Sequence, residues 1–331
     1  MDEKTRTSRP IMRVIDTFSG AGGASIGYAA AGLQIATAAE IWSVARENYT
    51  SNLNHPCDAV DMSNIDACVE EFKALQADVF AGSPPCQNFS SAGPRREGKK
   101  AALTIAFATI IARLGTPWII MENVPEVLES DAYEEARDIL TTAGYGLTEA
   151  IINAANAGVP QRRLRLVMIG RLGQRHGFAR SRIDRSLSHT EMTVREAFGG
   201  LPPFEHYYRH PRTYGRRAIF SVDEPSPTIR GVNRPVPPKY ARHPGDTTDP
   251  KDVRAMSARE RAIIQTFPAD YQWKGGKGEI DLMIGNAFPP KLAEFASRHV
   301  VEMQNEMDNG TFIAEEPEYT MQSLFHYQIP V

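Results

Sequence analysis

Residues 13–23 read RVIDTFSGAGG, and this stretch decides the fold. The apolar run at residues 13–18 predicts a buried strand, and residues 22–33 predict the helix that follows it. Glycines within the turn allow the backbone to bend tightly and to approach a ligand at the helix N-terminus. A dinucleotide-binding turn requires a further glycine where this chain has Ser25. The turn therefore favours a nucleoside cofactor bound without a pyrophosphate.

Short apolar runs alternate with helical periodicity through the first 170 residues, which is typical of a parallel α/β sheet. Further strands are predicted at residues 34–39, 79–82, 117–121 and 164–170, and helices at residues 42–53, 65–75, 102–114 and 133–143. From residue 171 to residue 252 the pattern is lost and prolines, glycines and arginines are frequent. Helices are predicted again at residues 257–265 and 290–303.

These patterns predict a doubly wound α/β sheet with a second, smaller, loop-rich domain. The first domain is expected to comprise residues 11–170 and 281–305, with the last helix returning to it. The second is expected to comprise residues 171–280, and the two ends, residues 1–10 and 306–331, are expected to be flexible.

Polar residues at the predicted strand ends are candidates for cofactor binding. Glu40 follows the second strand, where a carboxylate can accept hydrogen bonds from both ribose hydroxyls. Ile41 and Trp42 come next and are candidates to cover an adenine face, and Asp61 and Met62 form a similar pair further on. Together with the incomplete glycine pattern, these residues favour S-adenosylmethionine over NAD.

A rigid turn carries the chain's most reactive candidate side chain. Pro84 and Pro85 directly precede Cys86, after the apolar run at residues 79–82. Two prolines fix φ and remove two backbone donors, so this segment is neither a helix interior nor a central strand. Because α/β sheets place their chemistry at the carboxyl ends of strands, Cys86 is a candidate nucleophile. The alternative is a buried structural cysteine beside a turn.

The net charge of −3 conceals an uneven distribution. Residues 160–217 contain 13 arginines, no lysine and four acidic residues, whereas residues 301–331 contain six acidic residues and neither arginine nor lysine. A basic central region suits a polyanion, and guanidinium groups donate in pairs to phosphates and base edges. A solvated charged face is the alternative interpretation.

Composition also limits which cellular compartments and which cysteine-based sites are expected. Cys57, Cys68 and Cys86 have no CxxC spacing, which argues against a disulfide framework and a thiolate zinc site. No apolar run reaches the ~18 residues of a membrane span, and the N-terminus lacks the apolar core of a signal peptide. We expect a cytoplasmic protein with no metal site and no membrane partner.

Six short blocks, taken together, resemble a known family. They are residues 16–23 (DTFSGAGG), 84–87 (PPCQ), 122–124 (ENV), 161–165 (QRRLR), 265–268 (QTFP) and 285–286 (GN). In this order they resemble the C5-cytosine-specific DNA methyltransferases of bacteria and phages across residues 14–300. The resemblance implies a Rossmann-like, S-adenosylmethionine-dependent methyltransferase domain and a smaller target-recognition domain.

The resemblance implies a reaction in which Cys86 adds to C6 of cytosine, because C5 alone is a poor nucleophile. Glu122 is implied to protonate or hydrogen-bond N3. Arg163 and Arg165 alternate along a predicted strand and so share a face, and the resemblance places them near O2 and the cysteine. The methyl group is then transferred to C5. A base that the sequence does not identify removes the C5 proton, and Cys86 is released.

The family also implies which residues contact the cofactor and the DNA. Contacts to S-adenosylmethionine, whose product is S-adenosylhomocysteine, are predicted for Phe18, Ser19, Gly20, Gly22, Gly23, Glu40, Ile41, Trp42, Asp61, Met62, Pro84, Leu103 and Asn286. The target cytosine must leave the base stack, and residues 87–100 are implied to close over it. Contacts to duplex DNA are predicted for Gln87, Ser90, Arg95, Arg96, Tyr207, Arg209, Arg212, Arg216, Arg217 and Arg230. For the tyrosine, packing within a domain that has few other apolar residues is the alternative.

Some alternatives remain open from the sequence. A tRNA cytosine-5 methyltransferase is the nearest, although the Cys-Phe-Thr tripeptide associated with that branch is absent. A non-catalytic DNA-binding protein of the same fold is less favoured because Cys86 and Glu122 are both present, and a dehydrogenase fits the glycine pattern poorly. Asn88 departs from the proline usual in the family at that position. The enzyme is expected to act as a monomer, and a cognate restriction endonuclease is a candidate partner.

Overall fold

The computed structural model describes residues 11–85, 101–211, 213 and 215–314. Its strands are β1 (Arg13–Thr17), β2 (Gln34–Ala39), β3 (Val79–Gly82), β4 (Trp118–Asn123), β5 (Tyr145–Asn153), β6 (Gln161–Arg162), β7 (Leu164–Leu172), β8 (His206–Tyr208), β9 (Ile219–Ser221) and β10 (Ser226–Pro227). Its α-helices are α1 (Gly23–Ala30), α2 (Ser43–Asn52), α3 (Ile65–Lys73), α4 (Ala101–Leu114), α5 (Asp131–Thr142), α6 (Arg180–Ser186), α7 (Val194–Ala197), α8 (Ala258–Ile264), α9 (Lys277–Asn286) and α10 (Pro290–Asp308).

Six strands form one sheet in the order β2-β1-β3-β4-β7-β5. β1 pairs in parallel with β2 and β3, and β3 pairs in parallel with β4. β7 runs antiparallel to both of its neighbours, β4 and β5. The sheet is mostly parallel, as predicted, and β7 departs from this pattern because it follows β5 directly rather than through a crossover helix. The mixed α/β class itself is confirmed.

Several elements were missing from the sequence prediction, and the two longest of them are β5 and α9. β5 carries Gly146, Thr148 and Glu149 between its apolar residues, which interrupts the apolar run that marks a buried strand. α9 contains two glycines, Gly278 and Gly285, which lower helix propensity. β2 and β3 match their predicted bounds, whereas α10 continues to Asp308, beyond the predicted end at residue 303.

The sheet is covered on both faces, so its central strands are apolar on both sides. One core cluster packs Val14 and Ile120 against Tyr28 of α1 and Leu292 of α10. A second cluster packs Ile15, Phe80 and Ile119 against Phe72 of α3, Phe107 of α4 and Leu140 of α5. This layering places the carboxyl ends of β1, β2, β3 and β4 at one edge.

The last helix returns to the first domain, as the sequence predicted. α10 lies directly on α1, and a Cβ atom at Gly27 would be 2.3 Å from the carbonyl oxygen of Pro290. Only glycine therefore permits this approach of the two helices. Within the described ranges no helix is long and apolar enough to cross a membrane.

Residues beyond β7 contribute most of a third hydrophobic cluster. It contains Tyr207, Met256, Ile264 and Ile284, and it also includes Ala21 from the glycine turn. Phe178 and Ile183, which were assigned to the second domain, pack in the core of the first. This packing favours a domain boundary after α6.

His299 of α10 makes stability depend on pH. It is buried against Phe295, and neither ring nitrogen has a hydrogen-bond partner in the part of the chain that the structure describes. Burial, followed by the charges of Arg182 and Arg298, lowers the pKa of His299 from 6.5 to about 4. Since the unfolded chain binds this proton more readily, stability should fall as the pH decreases from 6.5 towards 4, by up to about 3 kcal/mol.

The His299→Leu variant should lose this component of the pH dependence. Urea unfolding of both proteins at pH 7 and pH 5 measures it, and the gap between the two pH values should be narrower in the variant. An equal gap in the two proteins would show that His299 titrates normally in the folded state.

Candidate functional site

The glycine turn after β1 is held in an unusual backbone conformation. Phe18, Gly20 and Gly22 have φ values of 55°, 53° and 81°, and Gly23 begins α1. The Ser19 N–H donates to the carbonyl of Ala39 at 3.1 Å. The turn is thereby joined to the end of β2, and its remaining backbone groups lie at the N-terminus of α1, where a ligand can approach them.

Glu40 is fixed at the same edge by two backbone donors. The N–H of Gly20 donates to Oε2 at 3.0 Å, and the N–H of Trp42 donates to Oε1 at 2.8 Å. Ile41 is exposed, whereas Trp42 is half-buried against the second domain's cluster. The carboxylate therefore stands between the glycine turn and the residues predicted to cover an adenine.

The other predicted cofactor residues occupy varied positions around this edge. Met62 is buried in the second cluster, and Phe18 and Leu103 are partly buried against the same cluster. Asp61 is exposed in the turn before α3 and accepts hydrogen bonds from Ser63, which lower its pKa. Pro84 is buried after β3, and Asn286 is exposed at the end of α9.

Asp16 is a buried carboxyl that sequence reasoning did not single out. The Ser25 hydroxyl donates to its Oδ2 at 2.5 Å, and the Tyr49 hydroxyl donates to Ser25 at 2.9 Å. Its Oδ1 has no partner among the described residues. Burial raises the pKa of Asp16 to about 7. A polar residue within the apolar run just before the glycine turn was the signal that could have identified it.

Glu122 and Arg165 form a buried ion pair at the ends of β4 and β7. Their side chains are 7% and 12% exposed, and Arg165 Nε lies 2.8 Å from Glu122 Oε1. Glu122 is inside β4 rather than after it, opposite Val167 of the antiparallel β7. The pairing of these strands therefore brings together two residues separated by 42 positions. Arg165 holds the carboxylate in one orientation.

Asn123 joins this pair to the proline turn. Its amide Nδ2 donates to the carbonyl of Pro84 at 3.0 Å, and its Oδ1 accepts from the N–H of Val124 at 2.9 Å. Cys86, two residues beyond Pro84, lies outside the described residues. Asn123 thus joins the end of β4 to the backbone that follows β3.

Arg163 contacts a different set of partners from Arg165, although the two residues lie close enough for their charges to interact. It precedes β7, is 2% exposed, and donates to the carbonyls of Ile229, Gly285 and Ala287 at 3.1–3.3 Å. Burial, followed by the charge of Arg165, lowers the pKa of Arg163 to about 9. These contacts support a positioning role for Arg163, which ties three segments together, over direct contact with a substrate.

Several predicted DNA contacts are not available for that purpose. Tyr207 is 1% exposed, between the rings of Phe204 and Phe220, so the prediction of a surface contact was wrong for this residue. Arg217 pairs with Glu224 and lies over the ring of Phe220. Its guanidinium is therefore occupied within the fold.

The remaining DNA candidates fall into two groups. Arg216 is exposed, and Arg209 and Arg230 are half-buried, where they donate to the carbonyls of Thr228 and His210. Outside the described residues lie Gln87, Ser90, Arg95, Arg96 and Arg212.

Comparison with protein families gives one match that spans the fold. A family model described as C-5 cytosine-specific DNA methylase matches residues 12–210 and 182–302. The chain is 43% identical over 301 residues to the Type II methyltransferase M.HindV of Haemophilus influenzae, covering 89% of this chain and 98% of that protein. It is 44% identical over 288 residues to the Type II methyltransferase M.HgiDI of Herpetosiphon aurantiacus, covering 86% and 92%.

Solved structures share the architecture at lower identity. The Dnmt2 methyltransferase of S. pombe aligns with a TM-score of 0.68 and 19% identity over 89% of this chain and 99% of its own. A prophage-encoded putative DNA modification methyltransferase from E. coli aligns with a TM-score of 0.66 and 21% identity, over 89% and 100%. At these identities the likeness establishes the fold.

Proposed function

Since the chain belongs to the C-5 cytosine-specific DNA methylase family, we propose that it methylates a flipped cytosine in duplex DNA through a covalent adduct between Cys86 and C6. One observation carries this proposal. The buried Glu122–Arg165 pair is linked by the adjacent Asn123 to Pro84, two residues before Cys86. The acid is thereby joined to the segment that directly precedes the candidate nucleophile in the sequence.

In the proposed reaction the Cys86 thiolate adds to C6 and electron density moves towards N3. Glu122 donates a proton or a hydrogen bond to N3, which turns C5 into an enamine-like nucleophile. Arg165 keeps the Glu122 side chain in place while its charge changes. Loss of the C5 proton after methylation restores the double bond and expels Cys86, since the C6–S bond breaks as the ring regains its aromaticity.

The residues at the carboxyl edge fit S-adenosylmethionine, which supplies an electrophilic methyl group when bound. The Glu40 carboxylate is held where ribose hydroxyls can donate to it. The glycines of the turn have no side chains that would keep a ligand away from the protein backbone. Asp16 Oδ1 is a buried acceptor that has no partner among the described residues, and it lies close to the same turn. Ile41, Trp42, Met62 and Leu103 are the proposed apolar walls.

DNA is the partner that the family implies. The target cytosine must be flipped out of the duplex so that its C5 atom is accessible. We further propose that the enzyme acts as a monomer in the cytoplasm. The name Type II methyltransferase, given to both relatives, supports a cognate restriction endonuclease as a partner.

Replacement of Cys86 by serine should abolish methylation, lowering the rate by more than about 10³-fold, because serine is a much weaker nucleophile at neutral pH. Wild-type and Cys86→Ser proteins would be incubated with S-adenosylmethionine and randomised duplex DNA, and 5-methylcytosine mapped at base resolution. Methylation in one short motif by the wild type alone is the expected result. Methyl transfer to tRNA exceeding that to DNA, or full activity of the variant, would overturn the proposal.

A further inference from the structure

Arg209 directly precedes His210, Arg230 donates to the His210 carbonyl, and Arg234 lies further along the segment that carries Arg230. Arg209 and Arg230 are half-buried and Arg234 is exposed. Burial lowers the pKa of His210, and the positive charges of Arg234, Arg230 and Arg209 lower it further. These four residues, here termed the His210 patch, concentrate positive charge around one imidazole.

Backbone contacts hold the patch together. Arg209 donates to the carbonyl of Thr228, and Arg230 donates back to the carbonyl of His210. The Tyr208 hydroxyl lies 3.3 Å from His210 Nδ1. The segment after β8 and the segment after β10 are thus tied to each other in both directions, which fixes the positions of the cations.

The segment after β10 is also bonded to Arg163, the residue that directly precedes β7. The carbonyl of Ile229 accepts from Arg163, and that of Arg230 accepts from Arg261. Arg163 is two residues from Arg165, the partner of Glu122. The His210 patch is therefore built onto the backbone that borders the proposed reaction site.

We propose that the His210 patch binds backbone phosphates of duplex DNA beside the flipped cytosine and positions the substrate without reading its sequence. This inference rests on the proposed function. One terminal nitrogen each of Arg209 and Arg230 already donates to a carbonyl, so neither offers a complete fork to a guanine edge. Like charges gathered at fixed positions suit phosphate oxygens, and phosphate contacts set register rather than specificity.

Arg234→Gln is the first test, because this side chain is exposed and its loss should not disturb folding. Binding to a fluorescent duplex would be measured by anisotropy over a series of salt concentrations. Loss of one phosphate contact should weaken binding about five-fold at 0.15 M salt and make the log–log salt slope shallower by about 0.9. Sequences selected from a randomised duplex pool should stay unchanged.

The matched control is Arg113→Gln. Arg113 is an exposed arginine in the last turn of α4, where it pairs with Asp66 of α3. Arg113→Gln changes the net charge by the same amount as Arg234→Gln. The DNA affinity and the salt slope of this control should therefore remain at the wild-type values. A similar loss in both variants would mean that net charge, and not the patch, is responsible, which would overturn the proposal.

His210→Gln supplies a second readout. DNA phosphates should oppose the charges of Arg209, Arg230 and Arg234, so His210 should take up a proton on binding. Wild-type affinity should then rise as the pH falls from 7.5 to 5.5, by up to about ten-fold per pH unit, and the variant should lack this rise. An equal pH dependence in both proteins would contradict the assignment.

The binding assay does not depend on turnover. If no methylation were found but the salt and pH effects appeared, the phosphate site would stand and the reaction would be wrong. If Arg234→Gln or His210→Gln altered the selected sequences, the patch would read bases and the proposal would fail.

Discussion

Glu122→Gln should lower the single-turnover rate of methylation by about 10²–10⁴-fold, the usual range for removing a positioned general acid. Glutamine fills the same volume and still offers a carbonyl oxygen to Arg165, which lies 2.8 Å from the carboxylate. It cannot deliver a proton to N3, so negative charge would remain on the ring during attack by Cys86. Rates would be measured with saturating DNA and S-adenosylmethionine.

Glu149→Gln is the matched control for this prediction. Glu149 of β5 is also 7% exposed, and its carboxylate pairs with Arg137 of α5 at 2.9 Å. The control therefore removes one buried carboxylate from an arginine pair that has no proposed part in the reaction. Its rate should stay near that of the wild type. A Glu122→Gln enzyme with an unchanged rate, or an equal loss in both variants, would remove Glu122 from the mechanism.

Asp281→Asn should destabilise the fold by about 3–5 kcal/mol, because it leaves a buried guanidinium without its counter-charge. Arg261 of α8 and Asp281 of α9 are 4% and 5% exposed and form an ion pair, and Lys277 also lies 2.6 Å from Asp281. Burial lowers the pKa of Arg261, yet the group remains charged at neutral pH. Urea unfolding at pH 7 would measure the loss.

Substitutions of the two partners, Arg261 and Asp281, should differ in their effect on stability. Arg261→Met should cost less than Asp281→Asn, because Lys277 still neutralises the remaining carboxylate and methionine packs well in a core. An exposed pair provides the comparison: Asp66→Asn should change stability little, since Asp66 is 88% exposed beside Arg113. Equal costs for Arg261→Met and Asp281→Asn would show that Lys277 contributes nothing.

Much of the site could be predicted because its residues follow short apolar runs. The runs at residues 34–39 and 79–82 are bounded by polar residues, glycine or proline, and so their ends identified Glu40 and the proline turn. The β7 direction could not be predicted, because side-chain alternation is the same in parallel and antiparallel strands. β5 was overlooked because its polar residues disguise a buried strand.

The errors among individual side chains have a similar origin. Arg163 and Arg165 share a spacing that suggests one face of a strand, but β7 begins only at Leu164 and Arg163 meets three distant carbonyls. Tyr207 belongs to an arginine- and tyrosine-rich segment that resembles a binding surface, yet it fills an aromatic core. Spacing describes local geometry, whereas burial depends on what packs from elsewhere in the chain.

The sequence by itself determined the α/β class, the family and the order of the motifs, since local periodicity, turn chemistry and block order are properties of neighbouring residues. Only the tertiary structure decided that Glu122 meets Arg165 and that Arg163 braces the returning segment. It alone decided that Arg230 meets the backbone of His210. These are contacts between residues far apart in the chain, and they arise when strand pairing and helix packing bring their backbones together.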